Sequence, residues 1–272
     1  MKKLYALVLL GSITVFGLDI VIPVHKKDAE TIEIVIKKLK MYITDAEEFY
    51  VISKEPVTDQ AHWIDEARFP FTIEDVGNEL GGKGGIGNHV RRGWYYQQVL
   101  KFYAAKVETN LSDNFLIMDA DTVPNHFMRF AQEDKVYLDY QKKGCSIEPY
   151  YTHMKDFVPE LSVVNRGENP VVHHMVFSKI ILDDLFERVE QLHDKPLWKA
   201  FCNIVKNSER PNSRGFYAGA SEYMIYYHFC LHFYPDLVIK RDIRVMQDAK
   251  SVAHKYPFKF DFISHHNYDR TE

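Results

Sequence analysis

The sequence predicts an α/β fold, a mainly parallel sheet with helices on its faces, and three observations predict it. Leu18 to Val24 (LDIVIPV) is a short unbroken apolar run, the pattern of a strand buried on both faces. An amphipathic stretch and a second apolar run follow at once, which makes a strand–helix–strand unit and so calls for parallel neighbours. A third apolar run, Phe115 to Met118 (FLIM), ends in Asp119-Ala120-Asp121.

The elements follow in chain order. Between Asp28 and Ile43, the residues Ile32, Val35, Ile36, Leu39 and Ile43 fall at helical spacing, with Lys37, Lys38 and Lys40 between them. Asp28 is placed to cap that helix. Phe49 to Ser53 (FYVIS) reads as the second strand. Gly81-Gly82-Lys83-Gly84-Gly85-Ile86-Gly87 must be a loop, because so many glycines leave the backbone unconstrained. Trp94 to Val107 reads as a helix with Tyr95, Val99, Phe102, Tyr103 and Lys106 along one side. Further on, the pattern predicts a strand over Val171 to Ser178 and a helix over Leu182 to Val205, broken near Pro196. A helix over Ser221 to Tyr234 and strands over Leu237 to Met246 and Phe258 to Ser264 complete the list. No Pro/Gly/Ser-rich linker, low-complexity tract or internal repeat interrupts residues 18–272, which read as one domain whose sheet is mixed in its second half.

The first 17 residues read differently. Lys2-Lys3 precedes an apolar run from Leu4 to Phe16 and then Gly17, which fits a signal peptide or N-terminal anchor. Val15 and Gly17 suit the small-residue cleavage rule, and the run alone is short of the ~20 apolar residues a membrane span needs. Secretion or membrane association is the expectation. A buried first strand with an apolar leader is the alternative, and would leave the protein cytoplasmic.

Composition excludes one class of partner. A formal net charge of −4 with scattered Lys and Arg leaves no electrostatic footprint for nucleic acid. Aromatic residues make up 14%, enough for a large core and for stacking rings on sugars or bases. Cys145, Cys202 and Cys230 form no C-x-x-C pair, and read as buried small hydrophobes rather than a disulfide framework or zinc site.

The acidic triplet carries the chemistry. Carboxylates at i and i+2 on extended chain point to one side. They stand at the carboxyl end of an apolar strand, where open α/β sheets bind ligands. Negative charge clustered there calls for a cation. Oxygen ligation suits Mg²⁺ or Mn²⁺, either of which would also bind a diphosphate. Other signals lead nowhere. His228 and His232 lack the Glu that a zinc hydrolase carries after its first His. His173-His174, if in a strand, split across its faces. Asp183-Asp184 opens a helix, where acidic charge is favourable by itself.

Ile20-Val21-Ile22-Pro23-Val24, the amphipathic helix, the second strand and then Phe115 to Asp121 resemble the GT-A glycosyltransferases. The resemblance is to small, poorly characterised bacterial and viral members with a Gly-Trp-Tyr-x-Gln-Gln segment ahead of the acidic motif, here Gly93 to Gln98. Ala220-Ser221-Glu222-Tyr223 is another such segment, and the ordered set spans roughly residues 18 to 267. It implies a single GT-A-like, Rossmann-like domain using a nucleotide-sugar donor, Mn²⁺ or Mg²⁺, and a glycan, protein or lipid acceptor. Pro23 and Val24, with Asp28 nearby, would lie under the nucleotide base. Asp119 would face ribose and metal, Asp121 would ligate the metal, and His265 or His266 would complete its shell. Lys83, Arg91 or Arg92 would add charge to the diphosphate, with Gln97 of the Trp-Tyr-x-Gln-Gln segment counted in the same donor site. Glu222 is the candidate general base at the acceptor hydroxyl.

Three rivals compete with that reading. FLIMDADTV also resembles the first motif of haloacid-dehalogenase-type phosphatases, with Asp119 as nucleophile and Asp121 as acid/base. That motif normally opens its domain and is followed by Gly, whereas here Thr122-Val123-Pro124 follows a long βα pattern. A sugar-nucleotide-forming nucleotidyltransferase would want a Gly-rich loop where Val24-His25-Lys26-Lys27-Asp28 stands. A secreted, non-catalytic carbohydrate-binding protein on the same fold is the third, since nucleotide sugars are scarce outside the cytosol.

Overall fold

A computed structural model describes residues 17–81, 91–143, 148–208, 219–247 and 249–266. In chain order the elements are β1 (Leu18–Pro23), α1 (Ala29–Tyr42), β2 (Ala46–Ser53), β3 (His62–Asp65), α2 (Ile73–Glu79), α3 (Arg92–Val107) and β4 (Asn114–Met118). The chain continues through β5 (Thr122–Pro124), β6 (Ala131–Gln132), β7 (Lys135–Tyr140), α4 (Glu148–Phe157), β8 (His174–Ser178) and α5 (Lys179–His193). It ends with α6 (Leu197–Ser208), α7 (Glu222–Phe233), β9 (Val238–Asp242), β10 (Val245–Met246) and β11 (Phe262–Ser264).

The main sheet runs in the order β3-β2-β1-β4-β8. Its first four strands are parallel and β8 is antiparallel, so the sheet is mixed and mainly parallel, with helices on its faces. β1 is buried throughout and β4 from Phe115 to Met118, because both are covered on both faces, which is why they read as short apolar runs. Asp19 is the polar residue inside that run. Its carboxylate accepts the backbone N–H groups of Glu48 (3.2 Å) and Ser112 (2.7 Å), which ties β1 to the segments entering β2 and β4.

Several elements depart from the sequence expectation. α1 begins without a side-chain cap from Asp28. Instead His25 Nδ1 accepts from the Lys27 backbone N–H (3.3 Å) in the short 3₁₀ turn ahead of it. Lys106 leaves the packed side of α3 and pairs with Asp183 of α5 (2.7 Å). α5 begins at Lys179, so Asp183 and Asp184 are not in its first turn; Asp184 binds Arg188 (2.8 Å) and Tyr234 (2.9 Å). The break before Pro196 is made by Asp194, whose φ of 49° supplies the left-handed cap that stops the helix. Of the Gly-rich stretch only Gly81 is described, at φ 107°; Lys83 and the remaining glycines lie outside the described residues, as does Cys145.

Two registers decide what reaches the acidic triplet. Met118, the last residue of β4, pairs with His174, the first of β8, so His173 lands beside Asp119. Ser264, the last residue of β11, pairs with Thr122 at the start of β5, so His265 and His266 land beside Asp121.

Below the triplet a buried ion cluster joins β7, β8 and β9. Asp139 accepts from His174 Nε2 (2.8 Å) and from Arg241 through Nε (2.7 Å) and Nη2 (2.8 Å). Burial alone would raise its carboxyl, but the hydrogen bonds from His174 and Arg241 outweigh that and hold it below the usual range. Removing one member of such a cluster strands the others. Asp139→Ala is therefore expected to cost about 3–5 kcal/mol in urea unfolding at neutral pH. The carboxylate is favoured in the fold, so its contribution is complete above the unfolded value of about 4 and fades as pH falls below it. The stability gap between wild type and variant should narrow in acid; a gap independent of pH would contradict the assignment.

Candidate active site

Asp119 and Asp121 lie at the carboxyl end of β4, on the same edge of the sheet as Pro23 and Val24 at the end of β1. The two aspartates have different surroundings. Asp119 Oδ1 accepts from Lys101 Nζ (2.6 Å) and from the Tyr223 hydroxyl (3.1 Å), and its Oδ2 faces His173 Nδ1 (3.2 Å). Its backbone N–H donates to the His173 carbonyl (2.9 Å). Both oxygens of Asp119 are thus engaged inside the protein. Asp121 Oδ2 lies 3.3 Å from His266 Nδ1, and its Oδ1 meets the Thr122 hydroxyl at 3.4 Å.

Lys101, from the middle of α3, is 2% exposed and divides its ammonium between two carboxylates. Besides Asp119 it donates to Glu222 Oε1 (2.7 Å) and to the Tyr223 hydroxyl (3.0 Å). Burial would lower its pKa, yet Asp119 and Glu222 beside it hold it well above the ordinary lysine value. Burial likewise would raise the Asp119 carboxyl, and the adjacent Lys101 and His173 pull it far below the usual range. For Glu222 burial wins, and its carboxyl stays raised despite Lys101.

Glu222 opens α7 behind Ser221, whose hydroxyl accepts the Met224 backbone N–H (3.3 Å). Its own backbone N–H donates to Gln98 Oε1 (3.0 Å). Glu222 is the expected base, and its surroundings are those of an ion pair: its side chain is 5% exposed and its Oε1 accepts from Lys101 Nζ, a bond with which any proton transfer from an acceptor hydroxyl would compete. A nucleophilic role for Asp119, required by the phosphatase alternative, is opposed by the three donors on its oxygens.

In an extended strand His173 and His174 would face opposite sides. His173 lies just before β8 and adopts φ 69°, a left-handed conformation uncommon outside glycine. That turn points its ring at Asp119 and brings it within 4.6 Å of the His266 ring, with Gln247 Nε2 3.4 Å from its Nε2. His174 goes instead to Asp139. Backbone strain of this kind collects at functional sites.

Of the two C-terminal histidines, His266 is the one at the Asp121 carboxylate. His265 donates its backbone N–H to the Asp121 carbonyl (2.9 Å) while its ring Nδ1 turns to the Ala249 carbonyl. His228 is buried with Nδ1 on the Met224 carbonyl (2.9 Å) and His232 is exposed, so the two do not face one ion. Arg91 and Arg92 stand at the start of α3, about 15 Å along the helix axis from Lys101, and Arg91 covers the Trp94 ring at 5.2 Å. Gln97 is half-buried; it is Gln98 that enters the site. Asp28 is 9% exposed at the turn between β1 and α1.

Among the described residues no three His, Cys, Asp or Glu side chains form a group that would hold a metal ion unaided. The donor set at Asp121 nonetheless fits a cation that arrives with phosphates, since Mg²⁺ and Mn²⁺ are commonly held by one or two carboxylates and complete their shell from substrate and water. A carboxylate suits both ions, and the imidazole of His266 favours Mn²⁺.

The ion triad makes its own prediction. Lys101→Met leaves Asp119 and Glu222 buried together without a cation, and should destabilise the protein by about 3–5 kcal/mol in urea unfolding. Adding Glu222→Gln removes one uncompensated charge and should recover a part of that loss. A double variant as unstable as the sum of the single ones would show that Lys101 and Glu222 are not coupled.

No curated protein matches the sequence. Among solved structures, mouse xyloside xylosyltransferase 1 in its apo form aligns with 94% of this chain and 99% of its own, at a TM-score of 0.46 and 8% identity. At that level of similarity the functional reading rests on the site and not on the likeness. The model of a family of unknown function, DUF6492, matches residues 16–269, and the chain belongs to that family.

Proposed function

We propose that the protein is a metal-dependent glycosyltransferase that moves a sugar from a nucleotide-sugar donor to an acceptor hydroxyl on a glycan, protein or lipid. The observation that carries the reading is the meeting of Asp121 with His266. An acidic motif at the end of β4 and a histidine after the last strand are far apart in sequence, yet they stand 3.3 Å apart. The resemblance of the sequence to GT-A enzymes asks for that pair.

In this reading Asp121 and His266 hold Mn²⁺ or Mg²⁺ together with the donor diphosphate. The ion, when bound, neutralises charge developing on the departing nucleoside diphosphate. Asp119 does not share that ligation. Held by Lys101, Tyr223 and His173, it fixes the backbone from which Asp121 projects and presents the His173 ring toward the same cleft. Pro23 and Val24, at the end of β1, and Asp28 line the edge on which the nucleotide would rest. In this reading the apolar run Leu4 to Phe16 would put the enzyme at a membrane or beyond one.

Thermal unfolding with Mn²⁺ and a panel of UDP-, GDP-, CMP- and dTDP-sugars tests the proposal. A donor at ~100 times its Kd adds about 2.7 kcal/mol to the folded state. For a chain of this size that is a rise of several degrees. One nucleotide class should raise Tm only when the metal is present, and Asp121→Ala should abolish the rise. If no donor shifts the transition, glycosyl transfer is the wrong activity, and a shift with free glycans alone would mark a carbohydrate-binding protein.

A further inference from the structure

Four side chains from distant parts of the sequence stand in a row across the candidate site: Lys143 after β7, Gln247 after β10, His173 before β8 and Asp119 after β4. Lys143 Nζ donates to Gln247 Oε1 (3.2 Å), and Gln247 Nε2 lies 3.4 Å from His173 Nε2. His173 Nδ1 lies 3.2 Å from Asp119 Oδ2. The row begins at an exposed lysine, passes through a half-buried amide and ends on a carboxylate whose other oxygen is held by Lys101 and Tyr223.

The chemistry of the groups fixes the sense of every bond. An ammonium only donates, so the Lys143 contact settles which side of the Gln247 amide is the oxygen. The other side, an NH2 group that also only donates, faces the imidazole. His173 Nε2 must therefore accept, and an imidazole that accepts at Nε2 carries its N–H on Nδ1. That N–H points at Asp119 Oδ2, and a carboxylate only accepts. All three bonds run inward, so the lysine at one end selects the tautomer near the other.

His173 has a second hold on Asp119. The Asp119 backbone N–H donates to the His173 carbonyl (2.9 Å), so backbone and side chain clasp the same pair. A φ of 69° persists only where the surroundings over-determine it, and the two ring bonds add that constraint. With both nitrogens engaged, the ring offers neither of them to an ion. It offers a wall instead: its centroid lies 4.6 Å from that of His266, whose Nδ1 faces Asp121 Oδ2 (3.3 Å). Outer partners that orient a metal-ligating residue matter nearly as much as the ligand, and losing one commonly costs roughly 10–100-fold in affinity or activity.

We propose that Gln247, its amide oriented by Lys143, is a positioning residue of the candidate site: it keeps His173 with its N–H on Nδ1, clasped to Asp119, as the wall against which His266 is set. The proposal rests on the sugar-transfer reading for what His266 does, but the row itself can be read without ion or substrate. Neither Lys143 nor Gln247 belongs to the Lys101 cluster, and neither is buried, so both can be replaced without opening the core.

Two readouts on the full chain test it, the first without metal or substrate. Proton–nitrogen spectra of the imidazole rings near neutral pH tell a protonated ring nitrogen from an accepting one. His173→Asn, a residue that tolerates positive φ, identifies the His173 signals. Wild type should show the N–H on Nδ1 and the acceptor at Nε2. Gln247→Leu should move those signals toward the tautomer mixture of a free imidazole, and Lys143→Met should do so in part. Lys143→Arg, whose guanidinium also only donates, should keep the wild-type pattern. The second readout is sugar transfer, where Gln247→Leu should lower kcat roughly 10-fold with its unfolding midpoint unchanged. An N–H on Nε2 in wild type overturns the proposal, as do His173 signals unmoved by Gln247→Leu or a kcat undiminished in that variant. A wild type with the expected tautomer, displaced in Gln247→Leu, that transfers sugar from no donor sinks the sugar-transfer reading and leaves the orienting row standing.

Discussion

The buried ammonium of Lys101 is the interaction on which the candidate site depends. Two carboxylates on different elements, Asp119 after β4 and Glu222 at the head of α7, meet in the interior around it. Without a cation both would be uncompensated charges in the interior, which burial disfavours. With it, α3, α7 and the end of β4 are fixed to one another by short charge-assisted bonds. Such a cluster contributes little net stability compared with an apolar replacement, but breaking it is costly. Its effect is on geometry: it decides where Asp119 points, and through the two-residue step of extended chain, where Asp121 points.

That fixation divides the labour within the Asp-x-Asp motif. Two aspartates two positions apart could both serve a cation if both faced open cleft. Here the first is spent on Lys101, Tyr223 and His173, and the second meets a histidine brought in from the end of the chain. The two imidazoles reach the site by register, each delivered by the residue that follows or precedes an antiparallel strand. A slip of one residue in β8 or β11 would turn either ring to the opposite face. The left-handed turn at His173 is where that delivery strains the backbone.

What the sequence made legible followed from how uniformly each segment is buried. β1, β4 and α1 are packed in the regular way, and their apolar patterns located them within a few residues. β3, α2, β5, β6, β7 and α4 went unread. β7 carries Asp139 in its buried half, so its pattern is broken by the very residue that anchors it. In α3 nearly every position from Tyr95 to Ala104 is buried, which erases the helical period and with it the cue that Lys101 faces inward. A lysine within a run of otherwise apolar and aromatic positions was the available signal. His173 was legible only as half of a pair, because the extent of β8 decides whether a strand's alternation applies to it. Glu222 could be placed, since Ser221 caps a helix, but its partner lies 121 residues away.

The two ends of the sheet answer to opposite physical demands. At the carboxyl ends of the strands, Asp119 and Glu222 are drawn inward around Lys101, while Asp121 meets His266. At the amino-terminal ends, Asp19 and Asp45 are tied down by backbone N–H groups, while Glu47 and Asp113 stay exposed. A parallel βα unit separates these ends by construction, since α1 must carry the chain from one back to the other. Phe127 and Phe258 lie away from the carboxyl ends of β1 and β4, and a substitution at either leaves the Lys101 cluster untouched.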